Sequence, residues 1–196
     1  MPDYYHQNPQ TYHQSTFSID PAPFLTPLAD HLPADSLVLD VGCGSGRDLL
    51  WMKSRGFQVM GLERSPGLAE IARRHAGCRV IQADFEQFDF SPLSVDAVLL
   101  VGALVHVRHD RFMAILTRIL SALNTGGLVL LSVKEGVGDR SDESGRVFYL
   151  WRTADMRGLL LDHGLEIRYF LRQPSAMGTG EAWLTYVLEQ AAGLYS

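Results

Sequence analysis

The feature that most constrains this 196-residue chain is a short apolar segment that runs directly into a glycine-rich turn. Residues 36–41 are predicted to form a buried strand, residues 42–46 (GCGSG) the turn, and residues 47–55 a helix. Because glycine has no Cβ, alternating glycines allow a tight turn and let a ligand approach the main chain. A helix that begins after such a turn presents unpaired N–H groups, which suit a carboxylate or a phosphate. The segment therefore predicts a βα unit with a ligand-binding turn.

Strands and helices continue to alternate along the chain. Further strands are predicted over residues 57–62, 79–83, 95–101, 128–133, 165–171 and 183–188. Helices are predicted to begin at four capping signals: Asp20-Pro21, Ser65-Pro66, Asp110 and Thr153. Residues 1–20 and 134–146 show no clear period. We therefore predict a doubly wound α/β fold: a mostly parallel seven-stranded sheet, helices on both faces, and the last two strands paired antiparallel at an edge.

Composition excludes several classes of function. The net charge is −5 and no long run of Lys or Arg is present, so a nucleic-acid substrate is not expected. Two cysteines, Cys43 and Cys78, are too few for a disulfide framework, and no Cys/His cluster suggests a metal site. The longest apolar run, residues 97–105, is too short to span a bilayer, and the N-terminus does not resemble a signal peptide. We expect a cytoplasmic protein without a membrane partner.

Polar side chains follow the next two predicted strands at the point where each ends. Glu63 ends the second strand, where its carboxylate could accept both hydroxyls of a ribose, and Asp84-Phe85 ends the third, where an acid and an aromatic ring suit adenine. Taken alone, Glu63 is better explained as a solvated strand-end acid and Asp84-Phe85 is weak evidence, but in register with the glycine turn the ribose role of Glu63 is favoured. A dinucleotide-binding fingerprint requires G-x-G-x-x-G, and Arg47 stands at the place of its third glycine. The spacing therefore disfavours NAD.

At this point the sequence resembles the class I S-adenosylmethionine-dependent methyltransferases. The resemblance rests on residues 39–47 (LDVGCGSGR) and continues through residues 61–65, 82–85, 95–98 and 123–127, so it covers residues 37–135. A finer similarity, to a bacterial small-molecule subgroup, rests on residues 16–20, on the turn at residues 42–48 and on Trp183-Leu184. The implied organisation is one methyltransferase domain over residues 1–196. Residues 1–34 would form an N-terminal lid and helix, 35–135 the cofactor-binding core, and 136–196 a substrate loop with the closing helix and strands.

The resemblance implies a role for each matching position. The methionine part of S-adenosylmethionine would lie on Asp40 and the turn, with Arg47 paired to its carboxylate, and Gly102 would face the sulfonium. Glu63 would bind the ribose, Asp84 and Phe85 the adenine, and Tyr12 and Thr16 would close over the cofactor. The full implied cofactor site is Asp40, Gly42, Cys43, Gly44, Gly46, Arg47, Glu63, Arg64, Asp84, Phe85, Gly102, Tyr12 and Thr16.

Methyl transfer from a sulfonium requires mainly alignment and exclusion of water, with a base where the acceptor carries a proton. His106, just past the fourth strand, is the candidate base, and a core histidine is an equal alternative. Five residues after the fifth strand are candidates for a substrate pocket, although each could instead be a surface or core residue: Lys134, Arg146, Phe148, Tyr149 and Trp151.

The expected function is methylation of a small molecule, with S-adenosylhomocysteine as product, by a monomer or homodimer. Two alternatives from other classes stay open: an NAD-dependent oxidoreductase on the same architecture, and a non-catalytic module that binds S-adenosylmethionine.

Overall fold

A seven-stranded sheet organises residues 4–190, the part of the chain that this computed structural model describes. The strands of the protein are β1 (Leu37–Val41), β2 (Gln58–Glu63), β3 (Arg79–Gln82), β4 (Val95–Val101), β5 (Leu123–Lys134), β6 (Asp139–Ser141), β7 (Val147–Tyr149), β8 (Leu165–Pro174) and β9 (Ala182–Gln190). The helices are α1 (Tyr4–Gln7), α2 (Pro9–Thr16), α3 (Ala22–Ala29), α4 (Arg47–Ser54), α5 (Pro66–Ala76), α6 (His109–Leu120) and α7 (Thr153–Asp162), with a 3₁₀ turn at Leu104–His106.

The strand order of the sheet is β3-β2-β1-β4-β5-β9-β8. The first five strands along the chain pair in parallel, while β9 runs antiparallel to both β5 and β8. Strands β1 to β3 are added one after another toward one edge of the sheet, whereas β4 and β5 lie on the other side of β1. The carboxyl ends of β1 and β4 therefore lie side by side at the point where the strand order changes direction. The predicted fold class is confirmed, including the antiparallel pairing of the last two strands at one edge.

Helices cover both faces of the sheet because its central strands are apolar on both sides. Leu39 and Val98 face α6 and α7, and Val38 and Leu99 face α3 and α4. The predicted apolar stripe of α6 lies in the first of these cores. Since the apolar faces are used in packing, the functional groups are left at the ends of the strands.

Three predicted helix caps differ in the structure. The α3 helix begins at Ala22 with Pro21 as its cap residue, so Asp20, which accepts from the Ala22 N–H at 2.9 Å, lies one position before the cap. The α6 helix begins at His109 with Arg108 as its cap residue, and Asp110 lies in the first turn, where it pairs with Arg108 at 3.0 Å. The α7 helix begins at Thr153 itself, and the Thr153 hydroxyl donates to Glu135 Oε1 at 3.0 Å instead of capping the helix. In α6 and α7, therefore, the side chain that was predicted to cap the helix is bonded to another side chain instead. Ser65 does cap α5, accepting from the Leu68 N–H.

Three segments contain more regular structure than their sequence indicates. The α1 and α2 helices lie within residues 1–20, and the β6 and β7 strands form a hairpin where no period was visible. The β5 strand begins at Leu123 and not at residue 128 as predicted, because residues 124–127 form an irregularity within the strand, between the pairs that β4 makes with Leu123 and Leu128. Each of these segments is stabilised by contacts with distant parts of the chain.

The close approach of α4 and α5 gives a first prediction. Gly46 has φ +84°, and a Cβ there would lie 2.9 Å from Ala72 Cα. We expect Gly46→Ala to lower the free energy of unfolding by about 2–4 kcal/mol in urea titrations, since it adds backbone strain and an overlap with backbone atoms. Gly56→Ala is the matched control at the other end of α4: φ is +92°, but no described atom lies within 4 Å of its Cβ position. There the loss should be about 1–2 kcal/mol. Equal losses at the two glycines would contradict this packing role.

Candidate active site

The residues singled out by the sequence lie at the carboxyl edge of the sheet, where β1, β2 and β4 end. The glycine turn follows β1, Glu63 is the last residue of β2, and Gly102 follows β4. Parallel strands bring these ends to one edge, which is where open α/β sheets bind ligands.

The three glycines of the turn have different surroundings. All three have positive φ, +71° at Gly42, +54° at Gly44 and +84° at Gly46. A Cβ on Gly44 would lie 3.1 Å from the Tyr12 ring, and one on Gly42 would lie 3.0 Å from Ala103 Cβ. Gly44 therefore lets the Tyr12 ring lie directly against its main chain, whereas Gly46 serves the packing of α4 on α5.

Asp40, at the end of β1, is a buried carboxyl without a full set of partners. Its exposure is 2%, and its Oδ2 atom has no hydrogen-bond partner among residues 4–190. Burial raises the pKa of Asp40 well above its usual value, and the negative charges of Asp48 and Glu63 add to that rise. A buried acceptor atom without a donor is costly unless a ligand supplies one. Asp40 therefore fits a ligand that carries a cationic or N–H group.

Glu63 ties the end of β2 to the glycine turn of β1. Its Oε2 accepts from the Gly44 N–H at 3.0 Å, and its Oε1 accepts from the Ser65 N–H at 2.8 Å. Burial raises its pKa, and these backbone donors oppose the rise. Because a carboxylate offers about four lone-pair positions, Glu63 can keep both bonds and still accept two hydroxyls.

Arg47 is already engaged within the protein. Its guanidinium makes a two-fold contact with Asp48, at 2.7 and 2.9 Å, and donates to the Thr16 carbonyl at 3.4 Å. The Thr16 hydroxyl donates within its own helix to the Tyr12 carbonyl, at 2.8 Å. Arg47 thus connects the start of α4 to the end of α2.

The remaining predicted cofactor residues are distributed around the same edge. Cys43 is buried, and its Sγ would lie 2.7 Å from a Cβ on Gly61, so its side chain faces the core. Arg64 is exposed directly beyond Glu63. Asp84 is half-buried and accepts from the Glu86 N–H at 2.9 Å, and Phe85 packs against the core. The Gly102 N–H donates to Ser132 Oγ at 3.0 Å.

The first two helices cover this edge. The Ser65 hydroxyl donates to the Tyr5 carbonyl at 2.8 Å, and a Cβ on Gly67 would lie 2.7 Å from Pro9. Tyr12, from α2, is half-buried and lies against Gly44, and this burial raises its pKa. We call residues 4–17 the lid, since they lie over the glycine turn.

His106 is held in one orientation by two hydrogen bonds. Its Nδ1 lies 2.6 Å from the Val147 carbonyl oxygen, which can only accept, so Nδ1 carries the proton. In the neutral ring Nε2 is then an acceptor, and the Tyr5 hydroxyl donates to it at 2.8 Å. Burial lowers the pKa of His106, which favours the neutral form.

Lys134 and Phe148 lie beside His106, at the part of the site that we call the acceptor side, next to the end of β4. The Lys134 ammonium pairs with Glu181 at 2.8 Å and lies 3.8 Å from the centroid of the Phe148 ring. Phe148 in turn lies 4.8 Å from the His106 ring. A Cβ on Gly102 would lie 3.2 Å from the Trp183 ring. The side chains form an aromatic wall next to the end of β4.

Arg146 belongs to the same group of residues, whereas two other candidates do not. The Arg146 guanidinium carbon lies 5.4 Å from the Phe148 centroid, and the group pairs with Asp142 at 2.7 Å. Tyr149 points to the other face of the hairpin, 5.6 Å from His109. Trp151 is buried against Phe112 in the core at 5.0 Å. The structure therefore brings Lys134, Arg146 and Phe148 to His106 and leaves Tyr149 and Trp151 outside.

Sequence reasoning missed Tyr5, Ser132 and Glu181. Tyr5 lies 101 positions from its partner His106, and Glu181 lies 47 positions from Lys134, so no local pattern links them. The density of aromatic residues near the N-terminus was the one available signal for Tyr5.

An open groove of about 670 Å³ lies at the opposite edge of the sheet, between residues 31–36 and 124–128. Its carboxylate Asp96 already accepts from the Leu37 N–H and from Asn124, both at 2.8 Å. We place the site at the carboxyl edge because the orphan acceptor and the glycine turn are there.

A family described as a methyltransferase domain matches residues 38–127. The match covers slightly less than half of the chain, so it shows that residues 38–127 are similar to a methyltransferase domain. The resemblance drawn from residues 39–47 is confirmed by this match, which begins in β1 and ends in β5.

Three similar proteins illustrate the range of the family. A ubiquinone biosynthesis O-methyltransferase from Xanthomonas axonopodis pv. citri is 35% identical over 106 residues, 51% of this chain and 44% of that protein. The Xenopus tropicalis tRNA (carboxymethyluridine(34)-5-O)-methyltransferase alkbh8 is 30% identical over 129 residues, 62% of this chain and 19% of that protein. The structure of Burkholderia thailandensis 1,6-didemethyltoxoflavin-N1-methyltransferase, with 1,6-didemethyltoxoflavin and S-adenosylhomocysteine bound, is 22% identical. It has a TM-score of 0.77 and covers 96% of this chain and 84% of that chain.

The chain spans less than half the length of the curated relatives it matches. Within the described residues, no helix is long and apolar enough to cross a lipid bilayer. Over the same residues, no three His, Cys, Asp or Glu side chains cluster so as to hold a metal ion.

The buried Asp40 gives a prediction about pH. Its pKa in the folded protein is raised, so any stability linked to Asp40 is fully present below the pKa of the unfolded carboxyl, about 3.9, and is lost as the pH rises through the folded pKa. We expect Asp40→Asn to raise the free energy of unfolding of the ligand-free protein at pH 7, by an amount that shrinks toward pH 4. Urea titrations at several pH values measure this.

Asp89→Asn is the control for Asp40→Asn. The pKa of Asp89 is lowered by hydrogen bonds from Ser91, so its substitution should bring no gain at any pH. A loss of stability in Asp40→Asn at pH 7 would mean that the Asp40 carboxylate is satisfied within the protein.

Proposed function

We propose that this chain transfers the methyl group of S-adenosylmethionine to a small-molecule acceptor and releases S-adenosylhomocysteine. The observation that carries the proposal is the arrangement of two buried carboxyls, Asp40 and Glu63, on neighbouring strands beside the Gly44 main chain. Asp40 has an oxygen atom, Oδ2, that no donor within the described residues reaches, and Glu63 has lone pairs left that can accept two hydroxyls. An adenosyl amino acid carries an amino group that suits the first carboxyl and a ribose diol that suits the second.

Each residue of the site would have a distinct task in this reaction. Asp40 would accept from the amino group, Gly44 would let the methionine part approach the main chain, and Glu63 would bind the ribose. Asp84 and Phe85 would hold the adenine. When bound, the cofactor supplies a methyl group on a sulfonium, which is an excellent leaving group. The protein's own contribution is alignment and exclusion of water.

The lid must move for the cofactor to enter. Tyr12 lies against Gly44, and Arg47 joins α4 to the lid through the Thr16 carbonyl. With the cofactor bound, Arg47 would exchange part of its contact with Asp48 for the methionine carboxylate. The remaining predicted residues, Cys43, Gly42, Gly46 and Arg64, would act through the main chain or from the rim of the site.

A small acceptor is favoured over a nucleic acid. The net charge of −5 opposes binding to phosphate, and the acceptor side is enclosed by α1 and the β6–β7 hairpin. The similarity to a tRNA methyltransferase makes transfer to tRNA the outcome to test against it. The two cysteines are free, which fits a reducing compartment, and we infer a bacterial cytoplasmic enzyme without a membrane partner, a monomer or homodimer.

The two other function classes have less support. An NAD-dependent oxidoreductase would need a glycine where Arg47 pairs with Asp48. A non-catalytic binding module would have no use for a histidine whose tautomer is held by Val147 and Tyr5. Methyl transfer to acceptors in a broad small-molecule screen would separate the enzyme from the module.

Calorimetry with S-adenosylhomocysteine tests the cofactor site. We expect Glu63→Ala to weaken binding by about 1–3 kcal/mol, roughly 5- to 150-fold, because hydrogen bonds from the ribose to a charged acceptor are lost. The control is Glu70→Ala, an exposed glutamate on α5 that pairs with Arg73 and Arg74, and it should bind as wild type does. Equal affinity in Glu63→Ala and wild type, or no binding by wild type, would refute the proposed site.

A further inference from the structure

The hydrogen bond between Tyr5 and His106 joins the lid to the acceptor side of the site. The Tyr5 hydroxyl lies 2.8 Å from Nε2, the ring atom that a base would use, and Nδ1 is committed to Val147. Since Tyr5 donates in this bond, its oxygen keeps two lone pairs; Arg146 hydrogen-bonds to one of them, and the other can accept a proton from another group.

Three positively charged side chains lie close enough to Tyr5 and His106 to act on the pKa of His106. Arg146 on the hairpin lies 5.8 Å from the centroid of the Tyr5 ring, and its charge opposes the rise that burial causes in the pKa of Tyr5. Arg146, Arg64 and Lys134 all act to lower the pKa of His106. The surroundings therefore favour a negative charge that develops on an oxygen at this place, and they keep the imidazole neutral until it receives a proton.

We propose that Tyr5 is a catalytic residue that relays the proton of an aromatic hydroxyl acceptor to His106, an assignment that rests on the proposed function. The rings of Phe148 and Trp183 provide walls for a planar acceptor next to Gly102. The neighbouring cations Lys134 and Arg146 already have carboxylate partners, Glu181 and Asp142, so a neutral phenol suits the pocket better than a free carboxylate. The free imidazole has a pKa of about 6.5, which is closer to that of a phenol, about 10, than to that of an aliphatic alcohol, so a phenol is the better-matched acceptor for this base.

The step balances over three groups. The phenolic proton passes to Tyr5 Oη while the Tyr5 proton passes to His106 Nε2, which becomes an imidazolium with its Nδ1–H still on Val147. The acceptor oxygen forms a bond to the methyl carbon as the carbon–sulfur bond breaks, and that electron pair stays on sulfur. When the lid opens, His106 returns the extra proton to water.

The first test needs no cofactor. Nitrogen-15 NMR of the histidine rings, titrated over pH, should show His106 of the full-length protein as the Nδ1–H tautomer. In Tyr5→Phe the pKa of His106 should rise, by up to about one pH unit, because a donor to its neutral form is lost. Tyr4→Phe removes a hydroxyl one residue away and should leave the pKa of His106 unchanged. A His106 pKa that is the same in Tyr5→Phe and wild type would overturn the relay.

The second test compares acceptors by the formation of S-adenosylhomocysteine from S-adenosylmethionine. At about pH 8 catechol retains its proton, whereas 4-nitrophenol is largely ionised and needs no base. Tyr5→Phe should reduce kcat for catechol by about 100-fold and leave kcat for 4-nitrophenol within about 3-fold. An equal loss with both phenols would show a structural role only. Faster methylation of catechol would show that Tyr5 competes with the acceptor for Nε2, and no methylation of either phenol by wild type would overturn the acceptor class.

Calorimetry with S-adenosylhomocysteine separates the relay from the proposed function. Tyr5→Phe should bind it with the affinity of wild type, since the hydroxyl serves the acceptor. If wild type fails to bind S-adenosylhomocysteine, the proposed function is refuted. If wild type binds it and methylates catechol, and Tyr5→Phe has the same kcat, only the relay is refuted.

Discussion

The site depends on two hydrogen bonds that the Glu63 carboxylate accepts, one from the Gly44 N–H and one from the Ser65 N–H. Through this one buried carboxylate, the ends of the neighbouring parallel strands β1 and β2 are joined. Burying the Glu63 charge costs free energy. Two backbone N–H donors, whose positions are fixed by the main chain, offset that cost. The glycine turn, the start of α5 and the acid at the end of β2 are therefore held in one arrangement before any ligand arrives.

The lid completes the site from the other side. Tyr12 lies against the turn and Tyr5 donates to His106, so a single N-terminal segment contacts both the cofactor side and the acceptor side. Because Arg47 also bonds to this segment, the proposed function would link entry of the cofactor to assembly of the acceptor site through the same helices. This coupling gives a physical reason for a lid in a reaction that has to exclude water.

How far the sequence predicts this structure depends on the range of the contacts involved. The strand–turn–helix at Gly42–Gly46 and the acid at Glu63 are encoded by local patterns, and the fold class and the family followed from them. The β6–β7 hairpin could not be predicted, because exposed residues such as Arg140 are held by an ion pair with the distant Glu181. No local pattern links Tyr5 to His106, since their contact exists only after the lid has folded onto the sheet.

A crystal structure with S-adenosylhomocysteine tests the central claim most directly. The account predicts the ribose hydroxyls within hydrogen-bonding distance, about 3.2 Å or less, of the Glu63 carboxylate, and the amino group near Asp40 Oδ2, with Tyr12 moved away from Gly44. A ligand seated elsewhere, for example in the groove at the opposite edge near Asp96 and Asn124, with Glu63 and Asp40 untouched, would contradict it.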